Sequence, residues 1–263
     1  MRAIWKGAIS FGLVSITVRL YAATEEKSVR FHQVHRTDGG RVRHRRICSA
    51  CDTEVAMLDI AKGYDADGGD MVVLTDEDLA GLPLSSSRVI EVLEFVPGAE
   101  VDPILYNRTY FLEPDATAVK PYALLRDALR DTDRVAVVKV ALRQREQLAA
   151  LRVRGETLVM HTMLWPDELR APDFGFIDQE VVVKDSELAM AASLIDSMTG
   201  SFDPSKLTDE YRAALQEVLE AKLQGRQVTV PSAPGAATKG VDLMAALQAS
   251  VERAQRARKA DAA

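Results

Sequence analysis

The sequence predicts an α+β protein in which a largely antiparallel β-barrel or sheet comes first and helices come last. Short runs with strand-like apolar spacing, separated by Gly, Pro and Asp, occupy most of residues 1–165. From residue 186 onward the apolar residues recur with helical spacing instead. Strands do not alternate with helices, so the pattern excludes a doubly wound parallel sheet.

The first strand-like run covers residues 9–20 and changes the parity of its apolar positions beside Gly12. Such a change indicates a bulge or a tight bend. Residues 29–36 and 41–47 flank Asp38-Gly39-Gly40, which is a hairpin signal, so two paired strands are expected there.

The next part of the chain combines one short helix with two strands. Thr75 followed three residues later by Asp78 is close to a capping box and predicts a helix over residues 76–82. Strands are expected over residues 88–95 and 107–112, and the second is expected to stop at the following proline.

A helix is predicted to begin at Pro121, with Leu124, Leu125 and Leu129 on one side. Three further strands are expected over residues 134–142, 147–154 and 157–165, of which the last is apolar on both faces and therefore central. Helices are then expected over residues 186–198 and 208–223, with apolar stripes formed by Leu188, Leu194, Tyr211, Leu215, Val218 and Leu219. These patterns divide the chain into a core over 1–185, a helical arm over 186–227, a linker over 228–240 and a C-terminal helix within 241–263.

The net charge of −6 conceals a strong segregation of charge along the 263 residues. Residues 1–50 carry a net charge of +7 and residues 119–160 carry +4, whereas residues 51–118 carry −12 and residues 161–263 carry −5. Two basic blocks on an acidic chain could fold into one positive surface, so the acidic average does not exclude nucleic-acid binding.

The N-terminal residues imitate a secretory signal, but Ser10, Gly12, Ser15 and Thr17 interrupt the apolar run. No apolar stretch of 18 residues occurs in the sequence, so no membrane-spanning helix is expected. The two cysteines do not form a secreted disulfide framework. We therefore expect a cytoplasmic protein with no membrane partner.

The candidates for phosphate contact are arginines on predicted strands. Arg41, Arg43 and Arg45 alternate with Val42 and His44, so a strand would place the three guanidinium groups on one face, about 6.6 Å apart. Arginine makes forked hydrogen bonds to phosphate, which favours a duplex backbone as the partner. The alternative is a solvated edge strand whose charges only prevent aggregation. The candidate set is Arg30, Arg36, Arg41, Arg43, Arg45 and Arg46 in the first block, and Arg143, Arg145, Arg152 and Arg154 in the second.

Cys48 and Cys51 have the spacing of half a zinc site. Tetrahedral zinc needs four ligands and no second pair of cysteines exists, although His35 and His44 could complete a set. The simpler interpretation, a pair of reduced thiols in a turn, is preferred, and no metal or cofactor is expected.

Two catalytic alternatives are weaker. Asp76, Glu77 and Asp78 resemble a divalent-metal cluster of a nuclease, but acidic residues are also favoured at a helix N-terminus. Lys6 could form a Schiff base in a lyase, but no neighbouring residue in the sequence indicates a lowered pKa. No P-loop, hydrolase, zinc-protease or dinucleotide fingerprint occurs in the sequence, so no enzymatic activity is expected.

Several segments, in one order, resemble bacterial Ku proteins, most closely those of actinobacteria and mycobacteria. The segments are residues 1–14, 29–35, 92–97, 110–114, 149–152 and 161–168. The likeness extends to about residue 225 and more loosely into the C-terminal helix. Some relatives carry another cysteine where this chain has Asp38, which argues against a zinc site shared by the whole family.

The resemblance implies properties that residue patterns alone do not show. It implies a homodimeric ring around double-stranded DNA ends, with a barrel core and a DNA-encircling bridge placed after Tyr110. It further implies sequence-independent binding, recruitment of ATP-dependent DNA ligase D for non-homologous end joining, and a location at the nucleoid. A strand-cleaving or lyase enzyme and a zinc-dependent protein-binding scaffold are the remaining alternatives.

Overall fold

The structure is a computed structural model. It describes residues 1–66, 68–80, 88–142, 145–226, 246–253 and 256. The chain divides into two compact units, residues 1–171 and residues 172–263.

The first unit contains a closed seven-stranded barrel. Its strands are β1 (Trp5–Phe11), β2 (Val14–Ala22), β5 (Val89–Pro97), β6 (Tyr106–Pro114), β7 (Arg134–Leu142), β8 (Arg145–Arg154) and β9 (Thr157–Met163). Around the barrel the order is β1-β2-β6-β9-β8-β7-β5, and β5 closes on β1. Every neighbouring pair is antiparallel except β1 and β5, which run parallel. The predicted α+β fold with a largely antiparallel barrel is therefore confirmed.

The parity change beside Gly12 is a hairpin turn between β1 and β2. Phe11 pairs with Val14, and Gly12 has a φ of +57°, a conformation that side-chain-bearing residues rarely adopt. The predicted tight bend is confirmed, and the parity changes because the chain reverses direction there.

Inward-facing side chains of all seven strands contribute to the main core. The largest fully buried ones are Ile9, Ile16, Leu20, Ile90, Leu112, Leu151, Leu158 and Met160. In β8, Ala149 and Leu151 are buried in this core, Ala150 between them is buried in a second, smaller apolar cluster, and Arg152 and Arg154 are exposed. β9 lies between β6 and β8, as its two apolar faces predict.

Helix α2 (Val119–Asp131) packs its buried side against the inward-facing barrel residues. Tyr122, Leu125 and Leu129 are buried, but Leu124 is 65% exposed, so the prediction that the three leucines share one side is wrong for Leu124. Positions three and seven residues after Tyr122 share its face of the helix, and Leu124 lies outside that stripe. The Tyr122 hydroxyl donates to the Leu112 carbonyl oxygen at 2.8 Å.

The described residues between β2 and β5 lie outside the barrel strands. Their regular elements are a 3-10 turn (Met57–Asp59), the hairpin of β3 (Lys62–Asp65) and β4 (Met71–Leu74), and the short helix α1 (Asp76–Ala80). The capping box that precedes α1 is confirmed, because the Thr75 amide donates to the Asp78 carboxylate at 2.8 Å and the Asp78 amide donates to the Thr75 hydroxyl at 3.1 Å. Residues 81 and 82, the predicted end of that helix, lie outside the described residues.

Two of the predicted strands do not form. Residues 29–36 and 41–47 make only one isolated bridge with each other, between Val34 and Arg41, although the turn between them exists. Phe31, Val34 and Val42 are all at least 48% exposed, so none of the described residues covers the apolar side chains of this segment. Two strands without a sheet or core behind them are marginal in water, which explains the error.

The expected position of the bridge is also wrong. From Tyr110 to Met163, the stretch that contains the second basic block, the chain forms the rest of β6, α2 and β7 to β9, all of which belong to the barrel or its core. Only residues 143 and 144, between β7 and β8, lie outside the described part of that stretch. The segment that departs from the barrel is instead the one between β2 and β5.

The second unit contains α3 (Asp185–Met198) and α4 (Glu210–Leu223). Their positions agree with the predicted helices, and Gly225, with a φ of +66°, follows the end of α4. Residues 246–253 are helical, within the predicted C-terminal helix, and the predicted linker lies outside the described residues. The first unit ends at residue 171, whereas the proposed core boundary at 185 coincides with the start of α3. No described helix is long and apolar enough to cross a membrane.

Candidate nucleic-acid interface

The first basic block lies on the segment that leaves the barrel after β2. Between residues 27 and 48 there are seven Lys or Arg residues and one acidic residue, Asp38. The carboxylate of Asp38 is occupied by His35, at 3.0 Å, and by the Gly40 amide, which together lower the pKa of Asp38. The local field of this segment is therefore positive.

The six candidate arginines of this segment are all exposed to solvent. Within the described residues, five of them have no carboxylate within 4.0 Å, namely Arg30, Arg36, Arg41, Arg43 and Arg46. The sixth, Arg45, contacts Glu54 at 3.6 Å. Guanidinium groups without a carboxylate partner keep their donors free for phosphate oxygens.

The predicted row of Arg41, Arg43 and Arg45 on one strand face is not present. Arg41 lies in the isolated bridge to Val34, and residues 42–46 have no regular strand structure. Without a ladder the side chains are not forced to alternate between two faces. The residues stay together in one exposed segment, but the regular 6.6 Å spacing does not hold.

The second basic block does not form one patch. Arg145 begins β8 and Arg154 ends it, so these two residues are separated by roughly 30 Å along the strand. Arg152 and Arg154 are exposed on the face opposite to the core residue Leu151, as predicted. However, Arg145 shares the parity of Leu151 and Ala150 is buried on the face of Arg152, so one basic face along the hairpin does not form. Arg143 lies outside the described residues.

Arg152 is held on the outer wall by a histidine. Its Nε donates to Nε2 of His161 at 2.9 Å, and Nδ1 of His161 lies 3.0 Å from the Thr109 hydroxyl. Burial, and secondarily the charge of Arg152, lowers the pKa of His161. The neutral imidazole therefore accepts from Arg152 and donates to Thr109, which fixes the direction of the arginine.

Three other cations near the barrel are paired with carboxylates. Lys6 lies 3.1 Å from Asp115, and Arg19 lies 2.6 Å from the other oxygen of the same carboxylate. The two cations hold the pKa of Asp115 below its ordinary value. At the turn between β8 and β9, Arg126 contacts both Asp127 and Glu156. Such pairs offer fewer free donors to DNA than the arginines of the first block.

Arg108 is a basic residue that the sequence patterns did not single out. It lies at an irregularity in β6, where the register to β9 shifts between Tyr106 and Thr109. Its side chain lines the same cavity as that of Arg145. The signal available in the sequence is the polar pair Asn107-Arg108 inside an otherwise apolar strand, a pattern that a bulge can cause.

The two cysteines lie in a compact turn. The Asp52 amide donates to the Cys48 carbonyl oxygen at 2.8 Å, and the Cys51 thiol lies 2.9 Å from the Thr53 hydroxyl. Hydrogen bonding, first from Thr53, lowers the pKa of Cys51. Among the described residues no three His, Cys, Asp or Glu side chains are grouped so that they could hold a metal ion.

The three acidic residues at the start of α1 have positions that stabilise that helix. Asp78 closes the capping box with Thr75, whose amide and hydroxyl lower the pKa of the aspartate. Asp76 and Glu77 lie in the first helical turn, where the helix dipole favours negative charge.

Comparison with known proteins agrees with this architecture. The family described as "Ku70/Ku80 beta-barrel domain" matches residues 10–190. A "Non-homologous end joining protein Ku" from Frankia casuarinae is 59% identical over the whole of this chain, which spans 66% of that protein's length. Proteins of the same name from Mycobacterium tuberculosis and Mycolicibacterium smegmatis are 47% and 46% identical, and the matches cover 97% and 82% of their lengths. Both the barrel and this similarity along the full chain show that the chain belongs to the Ku family.

Proposed function

We propose that this chain binds the ends of linear double-stranded DNA in non-homologous end joining and does so independently of base sequence. Relatives of which the match covers 97% and 86% of the length have non-homologous end joining in their names. The observation that carries the proposal is the exposed segment between β2 and β5, in which five arginines have no carboxylate partner among the described residues.

The chemistry of this segment suits the phosphate backbone and not the base edges. Arginine forks bind phosphate oxygens, and each contact releases counterions from the duplex. Contacts to phosphate fix the position of the protein without reading sequence. Binding of this kind serves a repair protein, since a break can expose any sequence.

We propose that the selectivity for ends is topological. The segment from residue 23 to residue 75 departs from the barrel and has few buried side chains, as expected of an arm whose partner is another molecule. If two copies join such arms around DNA, the resulting ring can be entered only from a free terminus. In this arrangement the arginines of the segment line the inner wall and contact phosphate.

Homodimerisation is supported by apolar surface that the described residues of the second unit leave uncovered. In the second unit Leu188, Ile195, Met198, Tyr211 and Leu223 are each at least 64% exposed. Leu194, Leu215, Val218 and Leu219, from the predicted stripes, are only half-buried. Exposed apolar surface on this scale is typical of a protein interface, and a second copy would cover it.

The C-terminal part is proposed to contact ATP-dependent DNA ligase D. Residues 228–240 have the composition of a flexible linker, and the helix that includes residues 246–253 follows it. A helix on a linker can present a binding segment to a partner without disturbing the ring. Deleting residues 241–263 is expected to leave DNA-end binding intact and to abolish stimulation of ligation.

The catalytic alternatives have weaker support. Lys6 is paired with Asp115 at 3.1 Å, whereas a Schiff-base lysine needs a free, neutral amine. Asp78 is committed to the cap of α1. We therefore propose that the chain binds DNA without chemistry and that the repair partner supplies the ligation.

A single plasmid tests the proposal. Binding is compared between covalently closed, relaxed circles and the same plasmid cut once, with the full-length protein. The ring proposal expects stable complexes only on the cut plasmid. Equal retention of both forms would show that no end is required.

Trapping provides the second readout. Protein is loaded on the cut plasmid, the ends are sealed with a separate ligase, and the salt concentration is raised. A ring remains on the sealed circle and leaves when the plasmid is cut again, because only the topology retains it. Protein that leaves the sealed circle at high salt as fast as it leaves linear DNA contradicts encirclement.

A further inference from the structure

The two ends of the barrel differ. At one end α2 packs against the core, and Arg126 and Arg130 of that helix donate to carbonyl oxygens of the turn between β8 and β9. The other end, where β7 passes to β8, contains a cavity of about 370 Å³. The residues that line it include Trp5, Asn107, Arg108, Arg145, Gln147 and Thr162.

A β-bulge builds one wall of this cavity. The register between β6 and β9 shifts between Tyr106 and Thr109, which leaves Asn107 and Arg108 outside the regular ladder. Bulges are frequent at the rims of barrels, where they redirect side chains. Here the redirected residues are an amide and a guanidinium, and both line the cavity.

A buried hydroxyl holds the bulge in place. Thr162 is the one polar residue among the buried ones of the described chain, at 3% exposure. Its oxygen accepts from the Arg108 amide at 3.0 Å, and its hydroxyl lies 3.3 Å from the Arg108 carbonyl oxygen, to which it donates. The side chain of Thr162 thus replaces the ladder bonds that the bulge removes, and it is a positioning residue for Arg108.

The cavity is basic at its rim and closed at its floor. Arg108 and Arg145 are exposed, whereas Tyr110, Leu142 and Thr162 are buried beneath them. No acidic residue lines the cavity, and neither arginine has a carboxylate within 4.0 Å in the described part of the chain. Two positive charges without a counterion inside a concave surface attract a compact anion.

We propose that this cavity binds a phosphate monoester. Two guanidinium forks can share the oxygens of one phosphate dianion, and Asn107 and Gln147 add neutral donors for the same group or its ester oxygen. The volume lies in the range of small-molecule sites and admits more than a bare phosphate. Trp5 offers an aromatic wall for the remainder of the ligand.

The same chemistry can come from a free mononucleotide or from the terminal 5′-phosphate of a DNA strand. The first experiment uses the full-length protein without DNA, so its result does not depend on the proposed end-binding function. AMP and inorganic phosphate are titrated by calorimetry into the wild-type protein and into Arg108→Gln and Arg145→Gln. Each substitution is expected to raise the Kd of AMP about ten-fold or more.

The matched control is Arg134→Gln. It makes the same change of charge at an exposed arginine at the other end of β7, away from the cavity. It is expected to leave the Kd of AMP unchanged. A loss in the control equal to that in Arg108→Gln would mean that AMP only senses the net charge, and the proposal would fail.

The role of Thr162 has its own test. Thr162→Val removes both hydrogen bonds to Arg108 and is expected to weaken AMP binding, whereas Thr162→Ser keeps the hydroxyl and restores it. If Thr162→Ser binds AMP as weakly as Thr162→Val, the hydroxyl does not position Arg108. Circular dichroism confirms that each variant remains folded.

The second experiment distinguishes the source of the phosphate. Affinities are compared for one linear duplex with 5′-phosphate and with 5′-hydroxyl ends. A preference for the phosphorylated duplex that Arg108→Gln removes assigns the cavity to the DNA terminus, and AMP binding without such a preference assigns it to a free nucleotide. If neither AMP, phosphate nor the 5′-phosphate is recognised, the site does not exist, even where the protein still prefers cut over closed plasmid.

Discussion

Replacement of Arg43 and Arg46 by Gln is expected to make DNA binding weaker and less sensitive to salt. Both residues are exposed, and neither has a carboxylate within 4.0 Å among the described residues, so the substitution removes no ion pair from the folded protein. Each phosphate contact contributes about 0.9 to the slope of log K against log salt concentration. Loss of two contacts should therefore reduce the slope by about 1.8.

The magnitude can be read from two salt concentrations. Between 50 and 200 mM salt, one contact changes the affinity by about 3.5-fold, so the wild-type affinity should fall about 12-fold more than that of the double variant. Fluorescence anisotropy with a linear duplex at four or more salt concentrations measures this slope. The matched control replaces Lys120 and Arg134, two exposed cations outside the proposed segment, by Gln. An unchanged slope in Arg43→Gln/Arg46→Gln, or an equal drop in the control, would remove this segment from the DNA interface.

Three further predictions concern the barrel that supports the interface. Tyr122→Phe leaves two buried backbone partners without its hydroxyl and should cost about 1–3 kcal/mol in urea unfolding, and an unchanged midpoint would contradict this. The pKa of His161 is lowered in the folded state, so the unfolded chain binds a proton more readily as the pH falls below 6.5. The stability of the wild-type protein should therefore decrease on acidification. The melting temperature of His161→Gln should lack this part of the pH dependence. Gly12→Ala should cost about 1 kcal/mol because φ is +57°, whereas Gly98→Ala, where a Cβ meets only Val135 at 3.6 Å, should cost less; equal losses in thermal unfolding would refute the argument from backbone strain.

Local patterns predicted the barrel strands well. The run from Arg134 to Leu142 was predicted with the bounds that the structure shows, because only Lys139 interrupts its apolar residues and no turn residue lies among them. The capping box at Thr75 was also predicted, since all its atoms lie within four consecutive residues.

Predictions of secondary structure failed where strand formation depends on whether other residues bury the apolar side chains of a segment. Residues 29–47 have the turn and the alternation of a hairpin, yet Phe31 and Val42 remain exposed and no ladder forms. A period of two shows which residues would share a face, but it does not supply a surface on which to bury that face. The single-face row of arginines failed for the same reason.

The candidate site likewise has features that the sequence predicts and features that only the structure shows. The concentration of cations between residues 27 and 48 is a property of the sequence, and the structure leaves that segment exposed as expected. The second basic block was predicted to belong to the same candidate set, but β8 sends Arg145 and Arg152 to different ends and faces of the barrel. Arg108 had no neighbouring basic residue in the sequence, and only the pairing of β6 with β9 brings it to the cavity of Arg145.

The sequence by itself determined the order of strands and helices, the turn at Gly12, the segregation of charge and the membership of the Ku family. These depend on neighbouring residues or on similarity along the chain, and both can be read without coordinates. The tertiary structure alone decided how β1 and β5 close the barrel, which segment leaves it, and that Arg108 and Arg145 line the same cavity. Those features depend on contacts between residues far apart in the chain, whose free energy comes from burial and pairing that a local pattern does not contain.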